Sequence, residues 1–371
     1  MAFRHWRVAG MVCLAVGLAA APGRAAGMAE FAHFDGRQVT GIAVSKTGRV
    51  FVNFPHWDEF HDLSVAELLP DGRLKPFPYE WDQDGVSTQA AGAPLANGFF
   101  CVQSVVCDDQ DTLWIVDAAS PGMKGVVNNQ AKLVAVDLAR NQSRRVYAFN
   151  AEVAPPKSYL NDVRVDPARH TAYLSDSGLG AIVVLDLETG GARRLLEKDP
   201  STHGEPGFRL SVLGEELIGP DGKPPEIHCD GIELSPDPDR KYLYYHALTA
   251  RTLYRIETAA LRDATLTEAQ LAAKVEKVAE TGPVDGLGLD RAGNLYLSCL
   301  EDGAIRRLPL ATPTAAMETV VKDPALMWPD SFACGPDGMV YVSCSQIENS
   351  ARFHKGKSVR TTPYRIFKIL P

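Results

Sequence analysis

The sequence predicts an all-β protein, a six-bladed β-propeller, because one short pattern recurs six times and each copy contains a polar turn. Each copy has an alternating apolar run, a turn rich in Asp, Gly or Pro, and a second alternating run with an aromatic residue. Alternation with a period of two around such a turn is typical of a β-hairpin. Repetition at intervals of tens of residues is typical of a repeat architecture. The copies cover residues 41–54, 104–118, 162–177, 231–247, 286–300 and 331–345.

The last two copies support the number of blades. Segments 286–298 and 331–343 align without a gap and have an aromatic residue at the same place. Their apolar starts, Leu287 and Phe332, are separated by about the 40 to 50 residues that a four-stranded blade needs. Longer intervals between the other copies leave room for loop insertions. Radial repetition also leaves few exposed sheet edges, so a chain with this much strand pattern avoids edge-to-edge pairing.

Residues 1–26 have the pattern of a signal peptide. Two arginines precede the apolar stretch 8–21, and small residues follow it. The stretch is short for a membrane span, and an uncleaved anchor is the alternative. We therefore expect a secreted or periplasmic protein with no membrane span after signal removal. Residues 27–371 are expected to form one propeller domain.

Three other segments lie outside the repeats. The run 364–370 alternates, and we expect it to pair with residues near 30–34 so that the two chain ends close the ring. The insertion 199–228 is loop-like, and it is either a lid or binding loop or a tolerated surface insertion. The insertion 267–278 begins with capping-box spacing, which predicts a short amphipathic surface helix.

Charge and cysteine content restrict the partners and the covalent structure. The net charge is −8 and no basic cluster is visible, so we do not expect a nucleic-acid partner. A small molecule is the expected partner, and a monomer is sufficient. Export makes disulfides an expectation. Cys299 and Cys344 occupy equivalent repeat positions and are the most suggestive pair, with buried free thiols as the alternative. The six cysteines beyond the predicted leader are Cys101, Cys107, Cys229, Cys299, Cys334 and Cys344.

Oxygen-bearing side chains stand before every predicted inner strand. Inner strands of a propeller converge on one axis, so these side chains are expected to form a ring at one mouth of the central channel. Carboxylates brought together in this way either have raised pKa values or hold a cation, and Ca, Mg or Mn suits such ligands. Capping of local turns is the alternative for each residue alone. The ring contains Thr40, Gln103 with Ser104, Asn161 with Asp162, Asp230, Asp285 and Asp330.

Two further groups of residues are weaker candidates. Glu226 and His228 lie just upstream of Asp230 and have the chemistry of an acid or base, although a loop histidine is more often simply solvated. Four aromatic residues after the first repeat form an aromatic wall or ordinary packing: His56, Trp57, His61 and Trp81. The sequence contains no serine-hydrolase elbow, phosphate loop or dinucleotide fingerprint.

Several segments resemble the major royal jelly and yellow proteins. The resemblance covers most of the chain after residue 26, and it implies a six-bladed propeller. In that family, some members bind small amines or sterols in the central pocket and others are linked to pigment chemistry. The segments include 172–177, 242–249, 294–296 and 364–367, together with Asp230-Gly231-Ile232-Glu233-Leu234-Ser235-Pro236 and Trp328-Pro329-Asp330-Ser331-Phe332.

The chain is also distantly similar to the gluconolactonase and senescence-marker propellers. That family holds a divalent metal with an acid from the first blade and Asn or Asp from the third, fourth and fifth. The resemblance implies Asn161, Asp230 and Asp285 as metal ligands here. Thr40 stands where the first-blade acid is expected, which argues against lactonase activity.

These observations lead to three hypotheses about function. The first is an exported protein that binds a small organic ligand at the channel mouth. The second is a lactonase-like hydrolase that uses one divalent cation, with Asp285 or Asp330 moving the proton. The third is an isomerase or oxidase of catechol-like compounds. The predicted ligand-binding residues are Gln103, Asn161, Asp162, Glu226, His228, Asp230, Asp285 and Asp330.

Overall fold

The computed structural model describes residues 27–58, 60–90, 97–127, 129–312 and 316–370. These residues form six four-stranded antiparallel sheets around a central axis, which confirms the predicted six-bladed β-propeller. The predicted signal peptide, residues 1–26, lies outside the described residues. None of the helices in the described ranges has the length and apolar character that a bilayer crossing requires.

The strands follow one order in each blade, from the axis outward. The first strand, β1 (Met28–Phe34), joins the last blade. Blade 1 contains β2 (Gly41–Val44), β3 (Val50–Asn53), β4 (Val65–Leu68) and β5 (Leu74–Pro76). Blade 2 contains β6 (Val102–Cys107), β7 (Thr112–Asp117), β8 (Lys132–Asp137) and β9 (Gln142–Ala148). Blade 3 contains β10 (Leu160–Asp166), β11 (Thr171–Asp176), β12 (Ala181–Asp186) and β13 (Ala192–Leu195).

The second half of the chain continues the pattern with two additions. A small hairpin, β14 (Ser211–Val212) and β15 (Glu215–Glu216), lies in the insertion before blade 4. Blade 4 contains β16 (Cys229–Leu234), β17 (Tyr242–Ala247), β18 (Thr252–Glu257) and β19 (Glu276–Glu280). Blade 5 contains β20 (Val284–Leu289), β21 (Asn294–Cys299), β22 (Ala304–Pro309) and β23 (Glu318–Lys322), and blade 6 contains β24 (Pro329–Cys334), β25 (Val340–Cys344) and β26 (Tyr364–Ile369). The helices are α1 (Gly85–Ala90), α2 (Thr258–Arg262) and α3 (Glu268–Ala272).

Both chain ends contribute to blade 6. Strand β1 pairs antiparallel with β26, with Glu30 opposite Phe367 and Phe34 opposite Tyr364. Arg365 Nε also donates to Glu30 Oε2 at 2.9 Å. The outermost strand of the last blade therefore comes from the start of the described chain.

The inner strands carry an irregularity where they face the channel mouth. In five of them the register with the second strand shifts at the ring residues, and only β2 of blade 1 pairs without a shift. An extra residue in one strand bends it and changes the direction of its side chains. The shifted positions lie between Val102 and Ser104, Leu160 and Val163, Cys229 and Ile232, Val284 and Leu287, and Pro329 and Phe332.

Serine side chains from the second strands bind the amide groups freed at three of these shifts. Ser175 Oγ accepts from Asp162 N at 3.0 Å, and Ser298 Oγ accepts from Gly286 N at 2.8 Å. Ser343 Oγ accepts from Ser331 N at 3.1 Å. A buried amide without a partner costs about 1–3 kcal/mol. The serine in the second run of these repeats therefore stabilises the irregular strand beside it.

Glycine allows the inner strands to approach one another at the mouth. A Cβ at Gly231 would overlap the main-chain oxygen of Asp285, and a Cβ at Gly286 would overlap that of Asp330. Neither position needs a left-handed backbone. Glycine is required here because of the space between neighbouring blades, and this close approach brings Asp230, Asp285 and Asp330 together.

The insertion 199–228 packs against residues of the mouth through its apolar side chains. Its buried residues Phe208, Leu210, Val212 and Leu217 form one hydrophobic cluster with Trp328 and Ile347. The second insertion contains the predicted capping box, in which Thr267 Oγ1 accepts from Gln270 N. The helix is shorter than predicted, because residues from Glu276 onward form β19, the outermost strand of blade 4.

The predicted disulfides are absent from the described residues. All six cysteines there are free. Cys299 packs in the cluster of blade 5 with Leu297, whereas Cys344 packs in the next cluster with Val342. Equivalent depth in neighbouring blades therefore places the two thiols in separate apolar layers rather than in a bond.

Candidate functional site

A cavity of about 320 Å³ opens at the mouth where the inner strands begin. Its volume is within the range of small-molecule sites, about 300–1,000 Å³. Six of the predicted site residues line it: Gln103, Asn161, Glu226, Asp230, Asp285 and Asp330. The structure therefore brings most of the predicted ring together at one cavity.

Three carboxyl groups form the acidic floor of this cavity. Asp230, Asp285 and Asp330 come from blades 4, 5 and 6 and are 3%, 7% and 4% exposed. They lie close enough together for the Asp285 charge to act on both Asp230 and Asp330. Three buried acids from neighbouring blades therefore meet at the inner end of the cavity.

Burial is the main cause of the unusual acidity of this floor. It raises the pKa of Asp285 to about 7, although the Trp328 indole, which donates from Nε1 to Asp285 Oδ2 at 2.5 Å, opposes the rise. Burial and then the Asp285 charge raise the pKa values of Asp230 and Asp330 well above their usual range. The three carboxyls therefore keep their protons to a higher pH than an exposed aspartate does.

One oxygen of Asp330 is available to a ligand. Asp330 Oδ1 accepts from Ser331 Oγ at 3.2 Å. Asp330 Oδ2 is buried and has no hydrogen-bond partner among the residues that the structure describes. A buried carboxyl oxygen without a partner is unfavourable, so a donor from a bound molecule would stabilise it.

An aromatic wall stands beside the amide residues of blades 2 and 3. Trp57 Nε1 donates to Tyr159 OH at 2.7 Å, and Tyr159 OH donates to Gln103 Oε1 at 2.9 Å. Asn161 Nδ2 donates to Ser177 Oγ at 3.1 Å. Each amide is thereby held in one orientation toward the cavity.

Only Trp57 of the four predicted aromatic residues lines the cavity. His56 and His61 stack on each other with their centroids 4.5 Å apart. Trp81 stacks on Phe99 inside the protein core at 4.7 Å. The predicted wall is thus divided between the site, a histidine pair and the core.

Two predicted ligand-binding residues do not line the cavity. Asp162 lies one residue further along β10, where burial raises its pKa to about 6 while the nearby Arg164 charge opposes the rise. The His228 ring contacts other residues of the insertion before blade 4 instead: its Nδ1 accepts from Gly204 N at 3.2 Å, and it meets the His203 ring edge-on with centroids 5.0 Å apart. Direct ligand contact by these two residues remains a prediction.

Thr40 and Ser104, the other ring members, bind the main chain instead of facing the cavity. Thr40 Oγ1 donates to the Gln103 carbonyl at 3.1 Å, and Ser104 Oγ donates to the Asn161 carbonyl at 2.7 Å. They join neighbouring inner strands on the first three blades.

The profile of the major royal jelly protein family matches residues 100–354. This is more than half of the chain and includes the inner strands of blades 2 to 6. The chain belongs to the major royal jelly protein family. No curated protein matches this family member.

Solved structures with low sequence identity share the fold of this royal jelly family protein. A luciferin-regenerating enzyme has a TM-score of 0.56 at 12% identity, with 93% of this chain and 95% of that chain covered. A gluconolactonase from Xanthomonas campestris has a TM-score of 0.55 at 12% identity, with 93% and 90% covered. Virginiamycin B lyase from Staphylococcus aureus has a TM-score of 0.51 at 13% identity, with 93% and 99% covered.

Tyr159, Trp328 and Arg352 are among the lining residues of the family protein that the ring positions alone did not predict. Tyr159 and Trp328 each lie two residues before a ring residue, Asn161 or Asp330, so a wider window around each position would have found them. Arg352 comes from the loop between β25 and β26 and has no local sequence signal. Its place at the mouth depends on the folded chain.

A divalent cation would have to bind at the same acidic floor. Asn161, Asp230 and Asp285 all line the cavity. Across the described ranges, however, no group of three or more His, Cys, Asp or Glu side chains is arranged to hold a metal ion. A cation at the floor would have to displace protons whose loss from Asp230 and Asp285 is disfavoured by burial.

Proposed function

We propose that the protein binds a small organic amine on the acidic floor of the mouth cavity. One observation carries this proposal: three buried carboxyls meet at one cavity, and no cationic side chain among the described residues forms an ion pair with them. An ammonium group would supply the missing positive charge and the donor for Asp330 Oδ2. The family resemblance, with small amines bound by some members, supports the same class of ligand.

Binding of an amine is expected to release protons. The raised pKa values keep the floor partly protonated in the free protein, whereas a bound ammonium favours the ionised carboxylates. The aromatic rings of Trp57 and Tyr159 offer an apolar surface to the rest of the ligand, and an aromatic face also attracts a cation. The site would therefore select a ligand that has an ammonium group and a partly apolar remainder.

Calorimetry with benzylamine and benzyl alcohol tests this proposal. We expect benzylamine to bind at least about tenfold more tightly than the neutral alcohol. Its binding heat should also depend on the ionisation enthalpy of the buffer. Asp285→Asn should remove the preference, whereas Asp71→Asn, in an exposed turn of blade 1, should keep it. Equal binding of the two compounds by the native protein would reject the amine proposal.

A metal-dependent hydrolase is the second candidate, because the three residues implied as ligands line one cavity. A bound divalent cation would polarise an ester carbonyl and lower the pKa of a water molecule. Asn161, Asp230 and Asp285 would hold it, and Asp330 Oδ2 would accept a proton. Titration with Ca²⁺ and Mn²⁺ of the native protein and Asp230→Ala separates the candidates. Stoichiometric binding that the variant loses, together with lactone hydrolysis, would favour the hydrolase over the amine-binding protein.

Export from the cytoplasm is part of the proposed function. The amino-terminal pattern of residues 1–26 supports it. Mass spectrometry of the protein from its native host should find a mature chain that begins close to Gly27. An intact first residue would contradict export by cleavage.

A further inference from the structure

The rim of the mouth cavity carries positive charge, opposite to its floor. Lys124, Lys157 and Arg352 line the rim, and among the lining residues that the structure describes, Glu226 is the one acid above the floor. Lys124 and Arg352 come from loops within blades 2 and 6, and Lys157 comes from the connection between blades 2 and 3. The cavity therefore has a negative inner end and a positive outer end.

Arg352 is the rim cation whose shape best suits a carboxylate. Its Nη1 donates to Met123 Sδ at 2.8 Å, so the guanidinium reaches from the loop of blade 6 to the loop of blade 2. A thioether is a weak acceptor, whereas a guanidinium has five N–H donors. Within the described part of the chain no carboxylate forms an ion pair with Arg352. By contrast, Arg360 of the same loop pairs with Asp58 at 2.9 Å.

We infer that the ligand is zwitterionic, with its ammonium group on the acidic floor and a carboxylate or similar anion bound by Arg352. This inference rests on the proposed amine site and specifies its ligand class. Planar guanidinium donors match a carboxylate in a bidentate contact, which is stronger than a neutral hydrogen bond. The body between the two charged groups would contact Trp57 and Tyr159. A ligand of this type satisfies Asp330 Oδ2 at one end and Arg352 at the other.

Three para-substituted benzenes of matched shape test the inference: para-aminomethylbenzoate carries both charges, para-methylbenzylamine only the ammonium, and para-methylbenzoate only the carboxylate. Calorimetry should give a dissociation constant for the zwitterion at least about tenfold lower than for the amine. Arg352→Gln should bring this ratio close to one. Arg291→Gln, in an exposed turn at the opposite end of the channel, is the matched control and should keep the ratio.

The outcomes separate this inference from the proposed function. If the native protein binds the amine and the zwitterion equally, or if the ratio survives Arg352→Gln, the zwitterion is rejected and the amine site stands. If neither compound with an ammonium group binds, the amine site itself is rejected. Circular dichroism checks that Arg352→Gln is folded. In a folded variant, equal dissociation constants for the amine and the zwitterion report on recognition of the carboxylate.

Discussion

At the scale of single residues, the site depends on carboxyl groups held where water does not stabilise their charge. Asp330 is buried, one of its oxygens has no partner among the described residues, and its pKa is well above the usual range. Trp328 acts in the opposite direction on Asp285, because its indole N–H stabilises the ionised form. Such groups reduce the stability of the protein without ligand, and a charged ligand that binds them removes this cost.

Asp330→Asn is expected to stabilise the protein at alkaline pH. A carboxyl whose pKa is higher in the folded than in the unfolded state favours folding below its ordinary pKa, near 3.8, and that contribution is lost as pH rises toward the folded-state value. The asparagine variant has no such loss. Its melting temperature should exceed that of the native protein by about 2 °C or more at pH 8 and equal it near pH 4. A lower melting temperature of the variant at pH 8 would contradict the destabilising role of the buried Asp330 charge.

Trp328→Phe is expected to move the pH dependence of amine binding upward. Without the indole donor the pKa of Asp285 rises further above 7, and a hydrogen bond to a charged group corresponds to about one pH unit. Dissociation constants measured between pH 5 and pH 9 give the midpoint. Trp57→Phe also changes a lining tryptophan, but one that donates to Tyr159, so its midpoint should stay in place. Identical midpoints in both variants would contradict the assigned role of Trp328.

At the scale of single elements, the irregular inner strand is the unit that builds the site. The register shift changes the direction of the ring side chains. In three blades a serine of the second strand binds the freed amide, and in blades 4 and 5 a glycine leaves space for the neighbouring inner strand. Blade 1 lacks the shift, and there Thr40 bonds the main chain of blade 2 instead of lining the cavity. The local geometry of each strand thus determines whether its ring residue reaches a ligand.

Gly286→Ala tests the close approach of blades 5 and 6. The added methyl group would overlap the Asp330 main-chain oxygen, so we expect a loss of about 1–3 kcal/mol in the free energy of unfolding. Urea denaturation measures the difference. Gly191→Ala, at an exposed turn where the nearest atom is 3.4 Å away, is the matched control and should change stability little. Equal effects of the two substitutions would argue against tight inner-strand contact.

At the scale of the whole molecule, the channel is divided into two separate cavities. A second cavity of about 310 Å³ lies at the opposite end and shares no lining residue with the mouth cavity. Arg164 of blade 3 lines this second cavity and donates to Glu233 of blade 4 at 2.9 Å and to the Leu287 carbonyl of blade 5 at 2.7 Å. These contacts join three blades at the end of the channel opposite the acidic floor.

Removal of β1 is expected to destabilise the whole propeller. A chain that begins at Asp35 lacks the outer strand of blade 6 and the buried Phe34 side chain, and it exposes the edge of β26. Exposed edges favour aggregation. Its melting temperature should fall by at least about 5 °C relative to a chain that begins at Gly27. An unchanged melting temperature would show that blade 6 is stable with three strands.

Local sequence patterns determined the number of blades, the pairs of inner and second strands, and the positions of the ring residues. These features follow from alternation and turn residues within short segments, so they were predictable without distant contacts. Only the tertiary structure decided which ring residues meet in one cavity. The register shift of β10 separates Asp162 from Asn161, whereas blade 1 has no shift and its Thr40 bonds the main chain of blade 2. It also decided that Trp328, Tyr159 and Arg352 complete the site and that Cys299 and Cys344 stay apart. Loops from different blades meet there, and no short segment of sequence records which of them will be neighbours.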